Sequence, residues 1–282
     1  MPPNTERTSR VGVAAFSGIF LASSFPCSQA ESTPAPASRS ANANHWAKLL
    51  SKKKELIKMK KSSHTSNKTP FIASRMSVIF SAAFISILFL LHFLKPELDP
   101  SWRMISEYEI GRYGWLMRLA FFCWGSSVLA LLVALWGSLR TIGGKVGYVW
   151  LMLIGIALFG AGIFATNAIT DTTPSTTNSL HTLCGAFVIM TFPIASSLVV
   201  GSLARNEEWS AARRQQFWME ILVWFSMFAF FGSIIISTAI NPSAGRVGPE
   251  VYLGWPNRLL VVIYNIWLIT IAVNARKLSS GS

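Results

Sequence analysis

The sequence predicts an all-α polytopic membrane protein, a six-helix transmembrane bundle behind a disordered, polar N-terminal extension. Three observations carry this. Six long apolar stretches, at 76–94, 119–139, 148–168, 180–204, 221–240 and 259–275, follow one another with short polar loops between them. Each is close to the twenty or so residues that a helix needs to cross about 30 Å of hydrocarbon. The chain is 51% hydrophobic and only 13% charged, and its mean hydropathy is +0.43 although the N-terminal part is polar. Within the stretches Ala, Gly, Ser and Thr recur among Leu, Ile, Phe and Val without period-two alternation, so helices fit and a β-barrel does not.

Residues 1–75 form the extension. Thr5–Arg10, Val11–Ala22 and Ser28-Gln29-Ala30 imitate a secretory signal over 5–30, with an apolar run too short to span. Between Glu31 and Asn44 the composition is Ser, Ala, Pro and Asn, which builds no core and predicts disorder. Met59-Lys60-Lys61-Ser62-Ser63 reads as a bacterial protein start. A cleaved targeting peptide, a cytoplasmic tail and an overextended reading frame over 1–58 all stay open.

The net charge of +13 is unevenly placed: twelve basic and three acidic residues precede Met76. Lys52, Lys53, Lys54, Lys58, Lys60 and Lys61 hold this end in the cytoplasm by the positive-inside rule and face anionic headgroups. No nucleic-acid-binding module accompanies them, so the expected partner is the bilayer. Six spans then leave both termini inside, with 276–282 as a short cytoplasmic tail. The expected location is a bacterial plasma (inner) membrane.

The first span, 76–94, leads into an outer loop in which Asp99-Pro100 reads as an N-cap with proline at the first helical position and Gly111 as a stop. This predicts an interfacial helix of about ten residues with Trp102, Ile105 and Tyr108 on one face and Arg103 paired with Glu107 on another. The second span has Ser126, Ala130, Ala134 and Ser138 four apart, and the third has Ala157, Ala161 and Ala165, so each offers a narrow face for close helix packing. The outer segment between the third and fourth spans, 166–181, contains no Lys or Arg. Cys123 and Cys184 fall at similar depth near the outer ends of the second and fourth spans, where a disulfide is geometrically conceivable but two free apolar thiols are the favoured reading; Cys27 lies in the extension. No Cys/His spacing suggests a metal site, and no cofactor is assigned.

Ser106-Glu107-Tyr108 with Gly111-Arg112-Tyr113-Gly114-Trp115, then Asn167 and Asp171 ahead of Leu180-His181, then Gly254-Trp255-Pro256-Asn257-Arg258, follow in an order that resembles the multi-pass membrane family catalogued as domain of unknown function 998, over about 76–275. The resemblance implies a six-helix bundle and a membrane location. It implies no reaction, and the extension has no counterpart in it.

Glu107, Arg112, Asp171, His181 and Arg258 all fall near outer helix ends, as do Asn241 and Arg246. The first five are the expected ligand-binding residues of one outer pocket, with Arg112 or Arg258 as charge partner for a lipid headgroup or small anionic ligand. A membrane hydrolase with Asp171 and His181 as candidate catalytic groups is the alternative. A b-type haem between His92 and His181 ranks below it, as does a transporter, because no charged residue is placed mid-span and no broken-helix signal or repeat is clear. Against all of these, Asp171 sits in a polar loop where a capping role is ordinary, and His181 opens a helix where a satisfied structural histidine is common. Oligomeric state is not legible.

Overall fold

Six helices long and apolar enough to cross a membrane make up most of the computed structural model, which describes residues 37–173, 175–240 and 248–280. They are α1 (Ala37–Leu94), α2 (Gly114–Leu135), α3 (Ile142–Ile163), α4 (Thr176–Leu203), α5 (Arg213–Ile240) and α6 (Gly254–Ser280). No strand occurs among the described residues. The chain separates into two units, Met1–Glu55 and Leu56–Ser282. In the first, residues 37–55 are helical. The part of the extension from Ala37 onward is therefore helical rather than irregular, because 47–61 is built mainly of Ala, Leu, Lys, Glu, Ile and Met, all good helix formers except Ile. The signal-like segment 5–30, Cys27, Asn241 and Arg246 lie outside the described residues.

In the second unit, α6 is central. Two thirds of its apolar window (67%) is buried by protein, against 22% for α5. Lipid tails are as apolar as leucine, so the bundle is held by dispersion, close backbone approach and internal hydrogen bonds rather than by hydrophobic burial. Serines join α1 to α2: Ser127 lies 3.1 Å from Ser77 Oγ and 2.7 Å from Ser81 Oγ. Glycines also allow close approach. A Cβ on Gly125 would lie 3.0 Å from the Gly155 carbonyl oxygen, and one on Gly147 would lie 3.0 Å from that of Ala195.

Pro193 lies inside α4. It has no N–H for the Ile189 carbonyl four residues back, an orphan that is costly in hydrocarbon. Tyr264 of α6 donates its hydroxyl to that carbonyl at 3.0 Å, and its ring stacks on Phe192 at 4.2 Å between centroids. One residue thus repairs the backbone and fills the gap.

The α1–α2 loop departs from the predicted ten-residue helix. Asp99 does turn the chain by accepting from the Ser101 amide at 2.9 Å, but only Ile105–Glu109 is helical, as a 3₁₀ turn. Extended backbone at Met104 delays the start, and Glu107 then caps the turn by accepting from the Met104 amide. Trp102, Ile105 and Tyr108 are buried in the protein. Gly111 ends the segment at φ +71°, where glycine carries no Cβ penalty. Gly254 brings the start of α6 against this loop, since a Cβ there would fall 2.4 Å from the Pro100 carbonyl oxygen.

Candidate functional site

The two loops α1–α2 and α3–α4 lie at one end of the bundle and cover a cavity of about 420 Å³. Its walls are mainly apolar, with Phe121, Trp124, Leu158, Val188, Phe230 and Val261 among them. Its polar groups include Glu107, Asn167, Asp171, Asn178, His181 and Asn257. Among the described residues no Lys or Arg lines it.

Glu107, nearly fully buried, is held from three sides. Oε1 accepts from Arg103 Nη1 at 2.7 Å and from the Ile169 amide at 2.9 Å; Oε2 accepts from the Met104 amide at 2.9 Å. Its negative charge is thus matched by the Arg103 guanidinium, four residues away, and not by Arg112 or Arg258. The bond to Ile169 ties the 3₁₀ turn to the α3–α4 loop, which makes Glu107 a clamp across the mouth of the cavity.

His181 lies in the second turn of α4, whose start Ser175 caps by accepting from the Asn178 amide. Its Nδ1 is 2.9 Å from the Ala161 carbonyl and 3.0 Å from that of Phe164, both at the C-terminal end of α3. Helix ends leave such carbonyls without partners. Because carbonyls only accept, Nδ1 carries the hydrogen, and in the neutral ring Nε2 keeps its lone pair. Phe121 meets the ring edge-on at 5.8 Å.

Asp171 is exposed at the rim. Oδ1 accepts from the Thr173 amide at 2.9 Å and from the Thr173 hydroxyl, and Oδ2 accepts from Asn167 Nδ2 at 3.1 Å. These bonds, those from Thr173 first, hold its carboxyl below the usual carboxylate range. Asp171 and His181 share the cavity but no hydrogen bond joins them, so the base-and-orienter arrangement of the hydrolase reading is not assembled.

Arg258 belongs elsewhere. Buried at the first turn of α6, it donates from Nη1 to the Arg103 carbonyl at 2.6 Å and to the Gly254 carbonyl at 3.0 Å. Nη2 donates to Tyr108 Oη at 3.0 Å and Nε to His92 Nε2 at 2.9 Å. His92 Nδ1 lies 2.7 Å from the Leu88 carbonyl, to which it donates, so both ring nitrogens are engaged and His92 does not line the cavity. The haem reading loses one of its two ligands. Arg112 is exposed over the Tyr113 ring at 4.8 Å and also stands apart from the cavity.

Sequence reasoning missed four groups. Asn257 accepts from the Ile105 amide at 3.1 Å, and Asn178 accepts from the Asn167 amide at 2.9 Å; both hold the loops over the cavity. Lys95 is buried and donates to the Tyr108 and Ile110 carbonyls, and burial lowers its amine below the ordinary lysine range. Glu109 is also buried, with Oε2 3.8 Å from His181 Nδ1 and neither oxygen accepting a hydrogen bond of ordinary geometry. Burial pushes its carboxyl up to about 7, against the smaller opposing pull of the Arg118 guanidinium and the nearby Thr166 amide. A second acid two residues after Glu107 was the available signal. Cys123 and Cys184 are free thiols. Among the described residues no three His, Cys, Asp or Glu side chains cluster closely enough to hold a metal.

Residues 78–274 match the family described as a protein of unknown function, DUF998. The chain belongs to the DUF998 family. No curated protein and no solved structure matches it. The DUF998 match reaches into all six apolar stretches, includes both cavity-covering loops, and leaves out the whole of the N-terminal extension, residues 1–75.

Proposed function

We propose that this DUF998 protein binds an amphipathic, lipid-like ligand in the loop-covered cavity, with the ligand's apolar body between α2, α4, α5 and α6 and its polar head beside Asn167, Asp171, Asn178 and His181. The observation that carries the reading is the cavity itself: its volume falls within the about 300–1,000 Å³ of small-molecule sites, with apolar walls and a few polar groups at one end. Thr182, Ala186 and Met190 both line it and are exposed, four apart on one face of α4, which supports lateral entry from the acyl region. The anionic preference read from the sequence rested on Arg112 and Arg258. With neither in the lining and the Asp171 carboxylate at the rim, a neutral or cationic head suits the site better. Glu107 and Arg258 then shape the cavity rather than touch the ligand. The lysine cluster 52–61 supports a cytoplasmic N terminus, so the cavity would open to the outer leaflet of the plasma membrane.

The experiment is native mass spectrometry of the full chain released from its own membranes in mild detergent. The expected result is one retained adduct of lipid mass per chain, strongly reduced in Gly185→Leu. Gly185 lines the cavity, and a Cβ there meets nothing within 4 Å, so the added side chain begins in open space. Equal retention by both proteins, or an unliganded wild type, would overturn the reading.

A further inference from the structure

Glu220 is an acidic residue on the membrane-spanning helix α5, seven residues from its start and next to the apolar stretch 221–240. Its partners draw it into the bundle. Oε2 accepts from Trp267 Nε1 at 3.2 Å, and Trp267 is thirteen residues, about 20 Å, from either end of α6. Oε1 accepts from Ser196 Oγ and Ser197 Oγ of α4, both at 2.7 Å. Ser197 Oγ in turn accepts from Trp224 Nε1 at 2.9 Å. None of the ion pairs among the described residues includes Glu220. Near it too are Tyr264 of α6, close enough to feel its charge, and on α5 the fully buried Gln216, one turn away, whose amide oxygen and nitrogen have no hydrogen-bond partner among the described residues. An ionisable side chain at this depth is expensive unless it has work to do.

Ser196 decides what that work is. Its hydroxyl has one hydrogen and two acceptors in range, Glu220 Oε1 at 2.7 Å and the Pro193 carbonyl at 3.0 Å. With Glu220 ionised, the hydroxyl donates to the carboxylate. With Glu220 protonated, it turns to the Pro193 carbonyl and its lone pair accepts from the acid. Both forms of the carboxyl are satisfied without moving a heavy atom, whereas a purely structural anion needs only the first arrangement. We propose that Glu220 is a proton-binding site within the bundle, loaded and unloaded through the rotation of the Ser196 hydroxyl, with the unpartnered Gln216 amide the next polar group toward the α5 N terminus. Of these groups only Ile189, the acceptor of Tyr264, also lines the loop-covered cavity, so the site does not depend on ligand binding there.

The test is the pH-difference infrared spectrum of the full chain in phosphatidylcholine vesicles, in a Glu109→Gln background so that Glu109 adds no signal. A titrating band of a buried, protonated carboxyl is expected, and it should disappear in Glu220→Gln. Ser196→Ala should keep the band and tighten proton binding about tenfold, because a hydrogen bond to the anion is worth more than one to the acid. The Ser196→Ala variant retains the acid, so it serves even if Glu220→Gln does not fold. A band unaffected by either substitution, or no titrating band, would overturn the proposal. So would displacement of the proton by sodium at constant ionic strength, which would make this a metal-cation site.

Discussion

Raising the pH from below 4.5 to above 7 should destabilise the folded protein by about 3 kcal/mol through Glu109 alone. The folded carboxyl titrates at about 7 and its ordinary value is 4.5. That gap, at about 1.4 kcal/mol for each tenfold change in proton affinity, gives the magnitude. Between those two values the folded protein keeps a proton that the unfolded chain has released, so folding binds protons and stability falls as pH rises. The contribution is complete below 4.5 and gone above 7. Glu109→Gln keeps the shape and removes the ionisation, so its stability should not change across that window. At pH 8 it should unfold later than wild type by roughly 6–12 °C, taking about 2–4 °C per kcal/mol for a domain of this size. Thermal unfolding followed by tryptophan fluorescence in detergent, from pH 4.5 to 8, measures this. Parallel curves for the two proteins would show that Glu109 is solvated or paired as an anion, with His181 at 3.8 Å the obvious partner, and would refute the reasoning.

Glu107→Ala should lower stability by about 3 kcal/mol, since it removes three hydrogen bonds and leaves Arg103 and two amides unanswered; thermal unfolding read beside Glu107→Gln, which should fall between, checks it. On a background with Cys27, Cys123 and Cys184 replaced, Thr172→Cys should react with an impermeant maleimide added outside intact cells, and Ser210→Cys should react only after the membrane is opened. The reverse pattern would invert the topology.

Membrane class, number of spans and family were legible in the sequence because hydrocarbon imposes them locally: each span must be long, apolar and self-satisfied in hydrogen bonds, whatever it packs against. The Arg103–Glu107 pair was legible for the same reason, being four residues apart. Glu107, Asp171 and His181 line one cavity, and the alternation of spans puts the α1–α2 and α3–α4 loops on the same side. Their roles were decided by the tertiary structure. The acceptors of His181 are carbonyls at the end of α3 some twenty residues away, and Arg258 lies 155 residues from the Arg103 carbonyl and 150 from Tyr108. Glu220 shows the limit most plainly. By sequence it marks only the edge of an apolar stretch; α4 and α6 supply two hydroxyls and an indole N–H that make a carboxyl stable at that depth. Spacing along one helix cannot report donors on two others, and only their convergence turns a boundary residue into a site.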